Sequence, residues 1–333
     1  MKLGDLGEEG LIKLLSSIFR SDRCSGVAVS IGDDSAVLKM PGGGFLLVST
    51  DTVLEKTHIP LEMTPEQIGA YAVNVALSDI AAMGGTPWGL VFSTVLPGSL
   101  DVDFAERIAR GMEAAAGEHG TCIVGGDTQA GEDLTITGTA FGTAAEDGLM
   151  LRSGASPGDL ICVTGELGSA AAGFYSLISG LTGHGHFIQR ALEPKARLRE
   201  GAAAARYASA CMDISDGLAL SLHEIGSKSG VGTMVHEDKI PVHRGLEAVA
   251  GEVGVSVREL VFYKGGDFEL LLTVPSERLS ALEKGFEKEG LNIFVIGEVT
   301  KHGHLLQTKD GETMAIEERG WQAFKGWQKT LKE

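Results

Sequence analysis

The spacing of apolar residues in the first half of the chain changes repeatedly between a helical and a strand-like period. Val27–Leu38 and Gly44–Val53 predict two strands joined by a glycine-rich turn. Thr64 followed by Pro65 is typical of a helix start, and an alanine-rich helix is predicted from there to about Met83. Further elements are predicted at 9–19 (helix), 86–96 (strand), 101–119 (helix), 121–125 (strand) and 133–142 (strand).

The second half of the chain begins at a turn-rich segment. Gly154–Asp159 is the predicted junction between two domains, which we place at residues 1–148 and 149–333. A chain of 333 residues agrees with about two domains. Strands are then predicted at 160–164, 209–213, 231–235, 268–274, 291–299 and 304–308, and helices from 168 and at 195–207, 216–228, 245–263 and 276–288. Both halves mix helices and strands without strict alternation, which predicts an α+β class.

The charge balance restricts the kinds of partner. Lys plus Arg number 28 and Asp plus Glu number 45, which gives a formal net charge of −17. Nucleic acid and anionic membrane surfaces attract basic proteins, so neither is expected as a partner. Cys24, Cys122, Cys162 and Cys211 are isolated, which argues against a zinc site or a disulfide framework. Because the sequence shows no leader and no apolar run long enough for a membrane span, a cytoplasmic protein is predicted.

Short acidic patches recur where apolar runs end. Each has one or two aspartates beside Gly, Ser or Thr, and they lie at 32–35, 49–52, 77–80, 125–128, 158–159, 212–217 and 265–269. Taken singly, each aspartate is better explained as a turn or N-cap residue, and Asp159 is interpreted in that way. Asp33 and Asp34 repel each other unless a cation is present, and Asp213 and Asp216 share a strand-to-helix turn. Together the patches predict a site for several Mg²⁺ ions and a polyphosphate.

Familiar nucleotide-binding signatures are absent from the sequence. No G-x-x-x-x-G-K-[ST] motif occurs, since Gly226–Ser229 lacks the Gly-Lys pair, and no G-x-G-x-x-G motif follows a strand. ATP is therefore expected to bind by another architecture. The segment 180–190 is either an ordered lid or a loose loop. Four histidines in Gly-rich turns are interpreted as solvated loop residues, namely His184, His186, His302 and His304.

The motifs occur in an order that resembles the thiamine-monophosphate kinase family. The matching segments are Gly32–Val37, Ser49–Thr52, Asn74–Pro87, Gly125–Thr128, Leu151–Asp159, Val163–Gly173 and Met212–Leu218. Each motif alone is weak, but the ordered set covers about residues 8–325. The family is part of a wider group that includes aminoimidazole ribonucleotide synthetase and selenophosphate synthetase.

The resemblance implies roles for individual residues. The implied metal ligands are Asp34, Ser49, Thr50, Asp51, Asp79, Asp127, Asp213 and Asp216. The implied ATP contacts are Gly126, Asp127, Arg152 and Ser215. His58 and Trp321 match substrate contacts of the family, whereas without the family they are interpreted as a surface histidine and an anchor for the C-terminal tail. Where many relatives have a glutamate this chain has Gly266, so Asp267 or Glu269 is expected to supply that substrate-binding carboxylate.

The resemblance also implies a reaction and an assembly. The implied reaction is the Mg²⁺- and ATP-dependent phosphorylation of thiamine monophosphate to thiamine diphosphate, by direct in-line transfer with no general base. The implied architecture has an N-terminal sheet domain, which forms a barrel-like interface in a homodimer, and a C-terminal α/β sandwich. Two other functions stay open at this point: an ATP-dependent synthetase of the wider group, and a non-catalytic nucleotide-binding maturation factor.

Overall fold

The first domain is built on one mixed sheet with helices packed against it. A computed structural model describes residues 2–324, apart from the side chains of Glu9 and Asp22. The elements in chain order are α1 (Leu3–Ile18), β1 (Val27–Val29), β2 (Ala36–Lys39), β3 (Phe45–Leu54), α2 (Glu55–His58), α3 (Pro65–Ala82), β4 (Thr86–Pro97), α4 (Val102–Glu118), β5 (Ile123–Gly131) and β6 (Thr135–Ala144). The sheet has the order β1-β2-β3-β6-β4-β5, in which only β4 and β5 are parallel. Within the described residues this sheet is open, so the single chain shows no closed barrel.

The second domain has a larger sheet. Its elements are β7 (Leu160–Val163), α5 (Ser169–Ile178), α6 (Gly185–Leu192), α7 (Leu198–Ala204), β8 (Ala210–Ile214), α8 (Leu218–Ser229), β9 (Gly232–His236), α9 (Leu246–Val253), α10 (Val257–Tyr263), β10 (Glu269–Val274), α11 (Leu279–Glu289), β11 (Phe294–Thr300), β12 (His304–Gln307) and β13 (Thr313–Ala315). The strand order is β13-β12-β9-β11-β7-β10-β8. The prediction of two domains that each mix helices with a sheet is therefore confirmed. None of the helices between residues 2 and 324 has the length and apolar character needed to cross a bilayer.

Helix α3 is buried along most of its length and lies between the two sheets. Its start is fixed by a capping box, in which Thr64 Oγ1 accepts from the Gln67 N–H at 3.3 Å and Gln67 Oε1 accepts from the Thr64 N–H at 2.9 Å. A Cβ at Gly69 would lie 2.0 Å from the Ile108 carbonyl oxygen, so glycine permits the close approach of α4. The helix also contacts α7 and β8 of the second domain. Side chains of α3 therefore reach both sheets.

The structure differs from the predicted elements in several places, including the short helix α2, which was not predicted. The strand predicted at Val27–Leu38 is interrupted by a loop at 30–35, where Gly32 adopts φ +121°. That loop carries the adjacent pair Asp33 and Asp34. In addition, α6 and β13 were not expected from the sequence, and α6 gives helical order to part of the 180–190 segment.

Two of the histidines assigned to solvated loops are in fact packed within the second domain. His184 Nδ1 lies 2.9 Å from Ser176 Oγ, immediately before α6. His304 lies in β12, where its Nδ1 is 3.0 Å from Thr233 Oγ1 and its ring centroid is 4.1 Å from that of His223. The interpretation of His304 as a loop residue is wrong, because it lies in a strand. His184 does lie in the loop before α6, but its side chain is half-buried and contacts α5, so it is not a solvated side chain.

Candidate functional site

Three aspartates from separate elements bring their carboxylates together between the two domains. Asp34 lies in the loop before β2, Asp79 near the end of α3 and Asp213 in β8. One oxygen from each carboxylate lies within 4.8 Å of the other two. We call these three residues the carboxylate cluster. All three are predicted from the sequence as metal ligands, although they are far apart along the chain.

Hydrogen bonds orient the cluster but leave it short of positive charge. Arg152 donates from Nη2 and Nε to the same Asp34 oxygen, at 2.7 and 3.2 Å. The other Asp34 oxygen, Oδ2, is buried without a hydrogen-bond partner among the described residues. Ser78 Oγ donates to Asp213 Oδ2 at 2.6 Å. A single guanidinium therefore faces three carboxylates, and one buried acceptor oxygen remains unsatisfied.

The electrostatics of the cluster favour a bound cation. Burial raises the pKa of Asp34 to about 7, with further increases from the charges of Asp213 and Asp33, although Arg152 opposes them. Burial also raises the pKa of Asp79 well above its usual range, and the neighbouring carboxylates add to this. The pKa of Asp213 is raised by burial as well. Carboxylate oxygens are the preferred ligands of hard divalent cations, so these residues fit such an ion.

Two further predicted ligands lie beside the cluster. Asp51 lies in β3, and burial together with the charges of Asp213 and Glu8 raises its pKa to about 6. Asp216 lies in the turn between β8 and α8, and burial together with the charges of Glu8, Asp213 and Asp51 raises its pKa to about 8. Both residues line an adjacent cavity. Ser49 reaches the cluster as well, since its hydroxyl donates to Asp79 Oδ2.

The adjacent cavity is lined mainly by aromatic and acidic side chains. Its volume is about 240 Å³. We call it the aromatic cavity, and its lining residues include Glu8, Asp51, His58, Tyr71, Phe174, Ser215, Asp216, Gly266, Phe268 and Trp321. The rings of His58 and Trp321 contact each other in its wall, with centroids 5.8 Å apart and planes inclined by 53°. The backbone of Trp321 is held by a hydrogen bond from its N–H to the Asp216 carbonyl at 3.1 Å.

Comparison with known proteins identifies the family to which the chain belongs. Residues 32–144 match the N-terminal domain of AIR synthase related protein and residues 156–306 match its C-terminal domain. The thiamine-monophosphate kinase of Methanospirillum hungatei is 38% identical over 310 residues, which cover 90% of this chain and 99% of that protein. The corresponding protein of Pyrococcus horikoshii is 35% identical, with 89% and 92% covered. The chain belongs to the thiamine-monophosphate kinase family.

A solved structure extends the similarity to the whole architecture. The structure described as AaThiL complexed with AMPPCP and TMP has a TM-score of 0.84 and 30% sequence identity, and the match covers 97% of this chain and 99% of that one. As a member of the thiamine-monophosphate kinase family, this protein is a kinase whose acceptor is itself a phosphate group.

In this family member, three of the predicted residues lie apart from the cluster or have other partners. Gly126 and Asp127 lie in β5, which is separated from Asp51 in β3 by β6 and β4, or about three strand spacings of ~4.8 Å each. The Asp127 side chain is exposed and accepts a hydrogen bond from Gln129 at 3.3 Å. Thr50 Oγ1 donates across the sheet to the Gly138 carbonyl at 3.2 Å. The roles of these residues in metal or ATP binding therefore stay predictions.

The two acidic residues expected to replace the family glutamate do not line the aromatic cavity. Asp267 accepts from the N–H groups of Gly168 and Ala170 at 2.7 and 3.0 Å, so it caps the start of α5. Glu269 is fully buried, accepts from Thr164 Oγ1 at 2.8 Å and forms ion pairs with two arginines, Arg190 and Arg197. These contacts give both carboxylates a structural explanation. Gly266 itself lines the cavity and contributes no side chain there.

The cavity also contains residues that the sequence did not point to. Glu8 comes from α1, Tyr71 from α3 and Phe174 from α5, and Phe268 lies two residues after Gly266. Phe268 belongs to the 265–269 patch, where only the acidic residues were expected to bind substrate. The other three lie outside the motifs, and each has an ordinary helical explanation when considered alone. Only the folded arrangement shows that they face the same space.

Proposed function

We propose that the protein transfers the γ-phosphoryl group of ATP to the phosphate of thiamine monophosphate, giving thiamine diphosphate and ADP. The observation that carries this proposal is the carboxylate cluster, which collects acids from both domains between Arg152 and the aromatic cavity. Relatives named thiamine-monophosphate kinase over nearly the full length, and a similar structure in complex with AMPPCP and TMP, support the choice of substrates.

The carboxylate cluster fits a divalent cation, and we propose that several Mg²⁺ ions bind at it and beside it. Asp34, Asp79 and Asp213 would hold metal at the cluster, with Asp51, Asp216 and Ser49 beside them. Bound Mg²⁺ would neutralise phosphate charge and stabilise the charge that develops during transfer. Neutralisation matters because two like unit charges about 4 Å apart repel by roughly 4 kcal/mol at an effective dielectric of 20. Thr50 and Asp127 remain proposed ligands.

The two ends of the site are chemically different, which assigns one substrate to each. At the first end, the planar fork of Arg152 suits phosphate oxygens, and we assign this end to ATP. Ser215, which lines the aromatic cavity, and Gly126 in β5 remain proposed ATP contacts. At the other end, His58 and Trp321 present flat rings suited to the heterocycles of thiamine monophosphate. The acceptor phosphate would then meet the γ-phosphate at the cluster in an in-line arrangement. Because the acceptor oxygen is already anionic, no general base is assigned.

The exposed edge of the first sheet supports a homodimer. Nearly every residue of β5 is exposed, and Val124 is 63% accessible in the single chain. An exposed edge strand of nine residues offers unpaired backbone groups to another chain. We propose that a second copy covers this strand, as the barrel-like interface expected from the sequence requires.

A product assay tests the proposed reaction. The purified protein is incubated with Mg²⁺, thiamine monophosphate and ATP labelled at the γ-phosphate, and the products are separated by chromatography. We expect label in thiamine diphosphate, equimolar ADP, and no labelled product when thiamine replaces thiamine monophosphate. Release of labelled inorganic phosphate without thiamine diphosphate would indicate a synthetase instead, and the absence of any turnover of ATP would indicate a non-catalytic nucleotide-binding factor.

A further inference from the structure

One acidic residue of the aromatic cavity has no role in the site described so far. Glu8 belongs to α1, yet it lines the cavity together with His58 and Trp321. The helical backbone is interrupted at the preceding residue, Gly7, which adopts φ 73° and ψ 175°. A residue with a side chain rarely adopts that conformation, so glycine permits the change of direction that brings Glu8 to the cavity.

The position of Glu8 is fixed from the opposite end of the described chain. Its Oε2 accepts a hydrogen bond from the Ala323 N–H at 3.1 Å, two residues after Trp321. Trp321 in turn donates through its backbone to Asp216. No hydrogen bond to Glu8 Oε1 is found within residues 2–324. One oxygen therefore holds the segment that carries the cavity's tryptophan, and the other has no partner in the described part of the chain.

Glu8 lies on the acceptor side of the site. It lines the aromatic cavity together with His58 and Trp321, whereas Arg152, which is assigned to ATP, contacts Asp34. Neither Arg152 nor Asp34 is among the described residues that line the cavity.

The chemistry of the cavity suits a cationic heterocycle that carries a hydrogen-bond donor. It combines aromatic rings with the three acids Glu8, Asp51 and Asp216, and none of its lining residues within the described chain is lysine or arginine. Aromatic faces attract organic cations, and a partly buried carboxylate accepts strongly from an amino group. Asp51 and Asp216 are assigned to metal, which leaves Glu8 for the organic part of the acceptor.

We propose that Glu8 is a specificity-determining residue, whose carboxylate accepts a hydrogen bond from an amino group on the acceptor's heterocycle. This inference rests on the proposed function, since thiamine monophosphate carries such an amino group on its pyrimidine ring. It also explains how the cavity recognises its ligand although Gly266 provides no side chain and Asp267 and Glu269 are bound elsewhere.

The test compares two acceptors in Glu8→Gln and in the wild-type protein. The first is thiamine monophosphate, and the second is the analogue with a hydroxyl group in place of the pyrimidine amino group. Glutamine keeps an oxygen that can accept from Ala323, so the contact with the C-terminal segment is preserved. Glu113→Gln, at an exposed position of α4, is the matched control.

We expect Glu8→Gln to lower kcat/KM for thiamine monophosphate by about 10- to 100-fold, mainly through KM. The analogue should change by less than about threefold, and the KM for ATP should stay the same.

Equal losses with both acceptors would show that Glu8 only holds the C-terminal segment, and no loss would remove the residue from recognition altogether. Either result overturns the inference. Failure of the proposed function looks different, because the wild-type protein would then not turn over thiamine monophosphate at all. In that case calorimetric titration with thiamine monophosphate alone still decides the matter: weaker binding by Glu8→Gln than by wild type supports the role, and equal or absent binding overturns it.

Discussion

Two groups of buried carboxylates occupy the interior of this protein, and their surroundings are opposite. Glu269 in the second domain is neutralised by Arg190 and Arg197 and accepts a further hydrogen bond from Thr164. The carboxylate cluster has one arginine for three acids, and Asp34 retains an oxygen without a partner. Burial is therefore common to both groups. The two differ in charge balance: the negative charge of Glu269 is neutralised by arginines, whereas the carboxylate cluster carries excess negative charge. Excess buried negative charge favours the binding of a cation.

The largest expected effect on activity comes from removing one negative charge from the carboxylate cluster. Asp79→Asn keeps the shape of the side chain and the hydrogen bond from Ser49, but it removes one negative charge from the cluster. We expect kcat with thiamine monophosphate to fall by roughly 1,000-fold or more, because stabilisation of the transferring phosphoryl group depends on bound metal. The measurement is a steady-state assay over a range of Mg²⁺ concentrations, with circular dichroism to confirm the fold.

Asp310→Asn makes the same chemical change at an exposed turn and serves as the control. It should leave activity unchanged. Near-normal turnover by Asp79→Asn would remove the metal-binding assignment of the cluster, whatever the control does.

Removing the charge of Glu269 should lower the stability of the protein and leave catalysis unchanged. Glu269→Gln leaves two partly buried arginines without their carboxylate, and removing one partner of a buried ion pair typically costs about 3–5 kcal/mol. We expect a loss of that size in the free energy of unfolding measured with urea, while the folded enzyme keeps its KM for the acceptor. A variant with normal stability and a raised KM would instead return Glu269 to the substrate contact expected from the sequence.

A smaller effect is expected from pH, and its sign follows from the raised pKa values. In the metal-free protein burial raises the pKa of Asp34, Asp51 and Asp216 to about 7, 6 and 8. A carboxyl group that binds protons more tightly in the folded state contributes stability that is fully present below its unfolded pKa of about 3.9 and is lost as pH rises through the folded value. We therefore expect these three carboxyl groups to lower the Tm of the metal-free protein progressively between about pH 4 and pH 8.

Thermal melts with EDTA and with excess Mg²⁺ measure this dependence. Mg²⁺ should raise the Tm more at the upper end of that range than at the lower end, because protons no longer compete there. Asp34→Asn should reduce the pH dependence of the metal-free protein. A Mg²⁺ effect that is the same across the range would argue against direct binding to these carboxylates.

The smallest expected effect concerns the helix that carries Asp79. Thr64→Ala removes the side-chain acceptor of the capping box and should cost about 1 kcal/mol in the free energy of unfolding. Since the cap lies at the other end of α3 from Asp79, kcat should stay within about twofold of wild type. Thr64→Ser is the matched control, because it restores the hydroxyl group. A large loss of kcat with little loss of stability would show that the cluster depends on the exact position of the helix start.

The sequence predicted those features that depend on local chemistry. The Thr64–Pro65 signal fixed the start of α3 correctly, and the aspartates that end apolar runs included every member of the cluster. Long-range partners were not predictable in the same way. Whether Glu269 meets two arginines or a substrate depends on how α6 and the segment before α7 pack against β10, and nothing in the local sequence encodes that packing.

The position of Glu8 also depends on long-range packing and could not be predicted from the local sequence. In the sequence it is one polar position of an N-terminal helix, and only the turn at Gly7 and the return of the C-terminal segment bring it to the cavity. By contrast, His58 and Trp321 were found through the family resemblance, and the structure does bring them to one cavity.

The position of α3 between the sheets has a consequence for motion. Ser78 and Asp79 are consecutive residues, and the first is hydrogen-bonded to Asp213 in β8 while the second stands beside it in the cluster. An opening that moved β8 away from this helix would break the Ser78 contact and draw the Asp213 carboxylate away from Asp79 in the same step. For the cation proposed at the cluster, release and separation of the two halves would then be a single event, and we expect products and metal to leave at one rate.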